Sequence, residues 1–521
     1  MVVKILLLAV FFVVTVAIGL YCRGHASNIS GFVLGGRSVG PWLTAFAYGT
    51  SYFSAVVFVG YAGQFGWKFG ISAAWIGLGN AFIGSLLAWV VLGRRTRLMT
   101  HHLGSATMPE FFGARYNSKN LKVTASAVIF IFLIPYTASL YNGLSRLFAM
   151  AFNIDFTVCI AAMALLTAVY VIAGGYVATA VNDFIQGIVM LAGIVAVIAA
   201  VLNINGGFIG SLTALSHVED PSASAAPGVF ASFFGPDPLS LLGVVILTSL
   251  GTWGLPQMVQ KFYAIKSEDA VRKGTVISTF FAAVIAGGSY FLGGFGRLFS
   301  GAVERRADGS VIFDSIVPSM MSGFPDLLIG VVVVLVLSAS MSTLSALVMA
   351  SSSTLTLDFL KGNIIRKMDE RRQILTIRIL IAVFIVISAG IAILQFKQNV
   401  VFIAQLMAIS WGALAGSFLA PFLYGLYWKR TSRTAVWCSM IFGTLFMTAN
   451  LLVTLKVLPA ALMPELLRSP INAGAFAMLA GLIIVPLVSM LTPAPDKAFT
   501  DKCFSCYETP VSVHMKESLG E

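Results

Sequence analysis

Apolar residues recur along this chain in runs of about twenty, and most charged residues fall in the intervals between them. The runs predict helices near 3–22, 41–65, 70–93, 123–149, 158–180, 183–203, 239–264, 275–298, 326–350, 375–395, 400–426, 435–458 and 473–492. Each is long enough to cross the hydrocarbon core of a bilayer. Polar residues inside such runs are costly there, so they carry most of the information. The densest set follows VVVVLV and reads LSASMSTLSALVMASSS, residues 337–353. On a helix, Ser338, Ser342, Ser345, Ser352 and Thr356 fall on one face at steps of three, four or seven. Two readings fit that face. Small residues let membrane helices pack closely, with hydroxyls bonded back to their own helix. Alternatively, side-chain oxygens are gathered around a bound ion.

Two of the runs are interrupted in a similar way. The second contains AFAYGTSYFSA, with Gly49, Thr50 and Ser51 at its middle, and the seventh contains LTSLGTWGLPQ, with Gly251, Gly254 and Pro256. Gly and Pro weaken a helix, and backbone groups freed in lipid must find partners in protein, water or ions. Either break alone fits a packing kink. Their positions say more, because they lie five spans apart and each opens a block of five, spans two to six and seven to eleven. Five is odd, so the second block sits inverted relative to the first. Inverted five-helix repeats with a broken first helix are a mark of secondary transporters.

The expected fold is therefore an all-α integral membrane protein of about thirteen transmembrane helices, with a five-plus-five inverted-repeat core whose first helices are broken. Residues 1–40 hold the first helix and a connector, 41–203 the first repeat and 204–238 an outer loop rich in Gly, Ser, Ala and Pro. Residues 239–427 hold the second repeat and 428–492 two peripheral helices. The short polar tail, 493–521, is expected to be poorly ordered.

Composition agrees with a bilayer. The chain has 521 residues, 58% hydrophobic and 10% charged, against about 25% charged in a soluble domain. The first run has only Lys4 before it, lacks a small-x-small cleavage site and continues to Arg23, so it reads as a span and not a signal peptide. The net charge of +12 is not gathered in one patch, which removes the case for nucleic acid. Instead, 24 of the 33 Lys and Arg fall in 22–40, 94–122, 261–274, 361–378, 428–433 and the tail. The positive-inside rule then puts the amino terminus outside and the carboxyl terminus in the cytoplasm of a multi-pass plasma-membrane protein, expected in a bacterial inner membrane. Cys22, Cys159, Cys438, Cys503 and Cys506 are scattered and read as reduced thiols. The CFSC of the tail lacks the two further ligands of a metal clip.

In a core of this kind, solute and coupling ion bind near the midplane beside the broken helices. Sodium is a hard cation that takes carbonyl, hydroxyl and carboxylate oxygens. An unwound turn at Gly49 to Phe53 offers carbonyls, and the hydroxyl-rich helix offers side-chain oxygens. One carboxylate stands out: Asp183 in GGYVATAVNDFIQG, at the start of the sixth run. A carboxylate at the bilayer centre costs roughly 2.5–3.5 kcal/mol on insertion scales, less near an interface. It fits a helix cap at the inner surface as well as a ligand or gate for cations.

Five motifs keep their order over nearly the whole chain: FVLGGRSVGPW (32–42), TMPEFFGARY (107–116), GGYVATAVNDFIQ (174–186), GLPQMVQKF (254–262) and MSTLSALVMASSSTLTLDFL (341–360). On these the chain resembles the sodium/solute symporter family, which contains bacterial proline, pantothenate and sialic acid transporters. The resemblance implies alternating access with Na+ as coupling ion. It implies a sodium site made by the Ser342 and Thr343 hydroxyls with the carbonyls of Ala339, Thr50 and Phe53. Asp183 matches an acidic position that some relatives use with Ser345 for a second sodium ion, although Ala346 stands where the sialic acid branch has a further hydroxyl.

The implied function is sodium-coupled uptake of a small organic solute. That solute is an amino acid such as proline or a small carboxylate of the pantothenate type; a sugar or sialic acid is the alternative. The proline branch carries an aspartate where this chain has Tyr52, and SYFSAVVFVG is at least as close to the pantothenate-like pattern. Tyr52, Tyr136, Trp253, Gln257 and Trp411 are the candidates for the solute cavity, and each also fits a packing or interface role. The expected partners are the solute, sodium and the lipid bilayer, with no obligate protein partner. A primary pump would need a nucleotide loop of the form GxxxxGK[ST], which is absent. A membrane enzyme would need clustered His, Cys or acidic residues, yet the five histidines sit in loops or the tail, and apart from the neighbours His101 and His102 they are far from one another. A channel remains the rival, because broken polar helices also line pores.

Overall fold

The computed structural model describes residues 2–22, 28–152, 154–219, 227–361, 363–365, 367–398 and 403–508, and these are helical almost throughout. Helix α1 (Val2–Tyr21) leads into a connector. Helix α2 (Pro41–Tyr52) starts on a proline, whose missing N–H costs nothing in a first turn, and stops at Phe53, whose backbone is extended at φ −84° and ψ 119°. The chain resumes as a widened turn, Val56–Tyr61, and continues into α3 (Ala62–Phe69). Helix α4 (Ala74–Gly79) runs through widened turns at Asn80–Leu87 and Trp89–Gly93 into α5 (Arg94–His102). Next come α6 (Met108–Arg115), α7 (Lys119–Phe152), α8 (Phe156–Ile204) and α9 (Gly207–Ser216). The second half repeats the opening device. Helix α10 (Pro238–Gly254) breaks at extended Leu255 and continues as α11 (Pro256–Ala264), bent from it by 45°.

The rest of the bundle is α12 (Glu268–Ala282), α13 (Gly288–Gly293), α14 (Asp326–Thr354), α15 (Glu370–Gln398), α16 (Ile403–Tyr427), α17 (Arg433–Thr454) and α18 (Pro470–Leu491). The tail adds α19 (Lys497–Phe504).

Among the described residues, ten helices are long and apolar enough to cross a membrane, or eleven if α10 and α11 form one span. Thirteen were expected. Two local features account for the lower number. The run 56–102 carries parts of two expected spans without a long interruption, while α2, with 12 residues, is too short by itself. The apolar stretch Phe156–Val169 is also short.

Two expectations are corrected. The boundary between the fifth and sixth runs lies at Gly175 (φ 60°, ψ −158°), a conformation that L-residues avoid, and not near residue 180. Asp183 therefore sits two turns inside a helix, which removes the cap reading. The tail is not featureless either. Helix α19 and the turn after it dock beneath the bundle, where the Arg95 guanidinium lies 4.1 Å from the Tyr427 ring and 4.6 Å from that of Tyr507. Lys429 adds an ion pair with Asp501 at 2.7 Å. Residues 509–521, also expected to be poorly ordered, lie outside the described residues.

Packing places α14 at the centre. It is buried from Val332 to Thr354 apart from Val334, and it touches α1, α2, α7 and α8. Helix α16 is the equivalent on the other side, packed on α10, α7, α17 and α18. A helix that is apolar all round survives only when covered by protein or lipid. The outer helices show which. Val2, Leu6, Val10 and Val13 on α1, and Leu375, Ile379 and Val386 on α15, are exposed at helical spacing. Apolar faces of this extent are bilayer-facing surface.

Candidate ion and solute site

The break in α2 lies against the middle of α14. Ser342 Oγ is 3.1 Å from the Thr50 carbonyl and 3.1 Å from that of Ala339. Thr343 Oγ1 is 3.1 Å from the Thr50 carbonyl, 3.3 Å from that of Phe53 and 3.0 Å from that of Ala339. The five oxygens named from the sequence therefore meet in one place, with Thr50, Phe53, Ala339, Ser342 and Thr343 all buried. The set is unbalanced as a hydrogen-bonded network. Two hydroxyls carry two protons, and the remaining lone pairs of two hydroxyls and three carbonyls converge on one place. Neutral hard oxygens crowded in this way suit a hard monovalent cation.

The other hydroxyls of α14 and the turn after it behave differently. Ser340 bonds back to the Val336 carbonyl, Ser345 to Ser342, Ser353 to Met349 and Thr356 to Ser352. The side-chain hydroxyls of Ser338, Ser351 and Ser352 make no hydrogen bond among the described residues. The face inferred from periodicity is thus mostly packing and back-bonding, and ligand geometry is confined to the adjacent pair Ser342 and Thr343.

Asp183 on α8 and Ser345 share no hydrogen bond, the Ser345 hydroxyl bonding back to the Ser342 carbonyl. The Asp183 carboxylate, buried and without a hydrogen bond, lies 3.8 Å from the Lys261 ammonium, which is also buried. The same ammonium stands over the Tyr176 ring at 5.1 Å. The sequence reading missed Lys261. The available signal was a basic residue inside GLPQMVQKF, shortly after the second break.

The aromatic candidates divide into two groups. Trp411 on α16 has its ring 5.7 Å from that of Tyr52 and 6.0 Å from that of Tyr136. The break in the second repeat closes on the same indole, because a Cβ added at Gly251 would stand 2.6 Å from its ring. Trp253, by contrast, is fixed by a hydrogen bond from its indole N–H to the Ile83 carbonyl at 2.9 Å. Gln257 is buried with both amide atoms unpartnered, but no contact ties it to the Trp411 group.

Three comparisons with known proteins bear on this arrangement. The profile of the sodium:solute symporter family matches residues 32–443. The sodium/proline symporter of Staphylococcus aureus (strain JH9) is 31% identical to this chain over 451 residues, 84% of each. Among solved structures, the substrate-bound outward-open state of a Na+-coupled sialic acid symporter superposes with a TM-score of 0.73 at 15% identity, covering 95% of this chain and 99% of that one. At that identity the likeness is one of fold.

Proposed function

We infer the function from one premise: the chain belongs to the sodium:solute symporter family. It is a sodium-coupled solute transporter of the membrane, not an enzyme, and Na+ is its coupling ion. We propose that the ion sits among the carbonyls of Thr50, Phe53 and Ala339 and the hydroxyls of Ser342 and Thr343. One observation carries this assignment. Thr343 has a single proton to donate and three carbonyl oxygens within 3.3 Å. A cation at that point supplies the missing positive charge and ties the α2 break to α14. Sodium binding and solute binding are then linked through the same broken helix. The link is reciprocal, so each ligand raises the affinity for the other by one factor.

The solute lies beside the break, with Tyr52, Tyr136 and Trp411 as its nearest side chains and Gln257 and Trp253 more remote. Likeness to a protein named a sodium/proline symporter supports an amino-acid solute. Tyr52 in place of the aspartate of the proline branch supports a pantothenate-like acid instead. Asp183, held by Lys261, serves in this reading as a charged barrier on the ion path and not as a ligand of a second sodium ion. Orientation follows the Lys and Arg bias, with the amino terminus outside and 94–122 and the tail in the cytoplasm. Cysteines placed in 204–238 should react with an impermeant thiol reagent in intact cells, and those placed at 118 or 500 should not. The reverse pattern would overturn the orientation.

Uptake into proteoliposomes tests the function itself. A symporter saturates, concentrates L-proline or pantothenate when a sodium gradient is imposed, and stops when choline replaces sodium. A flux that is linear in solute and indifferent to sodium would mark a channel.

A further inference from the structure

The two broken spans are joined differently at their two ends. At one end α3 and α10 stand around a recess of about 560 Å³, lined in part by Gln64, Phe65, Lys68, Ser240 and Val244, and the exposed pair of Lys68 with Asp237 links the two. At the other end the spans are clasped. The Val39 N–H donates to the Ala264 carbonyl at 3.2 Å, and the Lys266 N–H donates to the Val39 carbonyl at 3.1 Å. The residues before α2 and after α11 thus run parallel for one step of β-structure. Arg97, on α5, completes the clasp, with Nε donating to the Ile265 carbonyl at 3.1 Å and Nη2 to the Lys266 carbonyl at 2.8 Å. Val39 and Ala264 also pack with Tyr176 and Ala180 in a small apolar cluster of their own. The Tyr176 ring carries the Lys261 ammonium, 5.1 Å from its centre.

How α11 ends gives the clasp its meaning. A helix leaves its last carbonyls without partners, and many helices meet that need from the next residues of their own chain, often through a left-handed glycine. Helix α11 does not. Its C-cap, Ile265, is extended at φ −70° and ψ 135°, which carries the chain away from the helix. The carbonyls of Ala264, Ile265 and Lys266, at and just past its end, are met by Val39 and Arg97 from two other elements. A cation there also suits the negative end of the helix dipole, and a bond from a charged donor is roughly twice as strong as a neutral one. A cap borrowed from neighbours is lost whenever the helix end moves away from them. Helix α5 is anchored independently of α11: Arg95 Nη1 donates to the Leu426 carbonyl at 3.1 Å, and the Arg95 carbonyl accepts from the Tyr507 hydroxyl at 3.2 Å. Separation of α11 from α5 therefore breaks both Arg97 bonds.

Resting on the transport reading above, we propose that Arg97 is a positioning residue for transport, latching the end of α11 to α5 and so setting how often the path behind the clasp opens to this face. In the orientation given above, this face is the cytoplasmic one. Release of ion and solute there requires the bonds to Ile265 and Lys266 to part, together with the apolar cluster that Val39 and Ala264 close.

The test compares two reporter cysteines, labelled by an impermeant maleimide on the purified protein. Ala180→Cys places one in the buried cluster behind the clasp, and Gln64→Cys places the other in the recess at the opposite end. Labelling of the native cysteines is subtracted. Arg97→Met should raise the rate at position 180 about tenfold, the range for losing a hydrogen bond from a charged group, and leave the rate at position 64 unchanged or lower. Arg97→Lys keeps the charge but not the fork that reaches two carbonyls, so the rise at position 180 should be smaller and in the same direction. Arg94→Gln releases only an exposed pair with Glu268 beside the same turn and should leave both rates at the wild-type level. The proposal is overturned if position 180 labels at the wild-type rate in Arg97→Met, or in Arg97→Lys should the first variant not fold. It is equally overturned if positions 64 and 180 rise together, which is general loosening, or if Arg94→Gln has the same effect as Arg97→Met. Failure of a sodium gradient to drive uptake by the wild type would count against the transport reading instead, and the two labelling rates would still decide this proposal.

Discussion

Helices α14 and α8 each bury polar groups in apolar surroundings, and they handle the cost in opposite ways. Around Ser342 and Thr343, five neutral oxygens crowd together with too few protons to go round. Around Asp183, a full negative charge is met by the full positive charge of Lys261, 3.8 Å away. The first arrangement is the one we propose an outside cation completes. The second carries its own. In the proposed assignment only the neutral site reports sodium concentration, because only there does occupancy change the electrostatic balance. In the same reading the paired site contributes to stability and to the barrier the ion must pass.

The largest effect expected from this contrast comes from cutting the pair. Lys261→Met leaves Asp183 buried and uncompensated, and losing one partner of a buried ion pair costs roughly 3–5 kcal/mol. The unfolding midpoint of the purified variant should fall well below wild type. Monovalent cations should restore part of the loss, since the carboxylate then lacks its resident cation. Asp183→Asn should also destabilise, and the double variant should recover stability relative to either single one. A double-mutant cycle measures that coupling. Two single variants as stable as wild type would erase the difference between the sites.

A smaller but more diagnostic effect belongs to the neutral site. Ser342→Ala or Thr343→Ala removes one oxygen from about five. The loss of a contact to a charged group is worth roughly 1.5–3 kcal/mol, a ten- to hundredfold rise in the sodium concentration for half-maximal uptake. Apparent solute affinity should fall with it, and high sodium should rescue both. Asp183→Asn should move the sodium curve far less than either. Ser345→Ala, which removes a hydroxyl bonded back to Ser342, and Ser351→Ala should leave the curve in place. Wild-type sodium dependence in the Ser342 and Thr343 variants would return those hydroxyls to packing.

The neutral site was legible in the sequence, and the paired site was only half so. Gly49 and the polar residues around it announce a break, and the adjacent hydroxyls Ser342 and Thr343 match the family motif. Local pattern pointed to the broken turn and the hydroxyl-rich helix, and the family resemblance named the individual oxygens. Asp183 was visible as a charge in an apolar run, but its partner sits on another helix after the second break, and no periodicity connects the two. The break at Gly175 was hidden because apolar residues continue through it; the Gly174–Gly175 pair was the available signal. The tail reads as polar and loose. Its anchors, Phe504 and Tyr507, work through cations on distant segments, Arg115 and Arg95.

The smallest effect is expected where an ion pair is exposed, and it calibrates the other two. Lys68 and Asp237 approach to 3.1 Å, but each side chain is nearly half exposed. Asp237 also caps α10 by accepting from the Ser240 N–H at 3.0 Å. Partial burial pushes the Asp237 carboxyl up, while the bonds from Ser240 and the Lys68 ammonium outweigh that and hold it below its ordinary value. A lowered folded value means that the contribution is complete above the ordinary value of 3.8 and fades as pH falls through the lowered one. It should therefore be constant from neutral pH down to about pH 5. Surface pairs are worth about 0–1 kcal/mol and are screened by salt. Lys68→Ala should accordingly change the unfolding midpoint by a small amount that vanishes at high ionic strength, whereas Lys261→Met should stay destabilised there by much more than that amount. Equal losses for the two variants at low salt would show that burial, the property on which the comparison rests, does not separate these ion pairs.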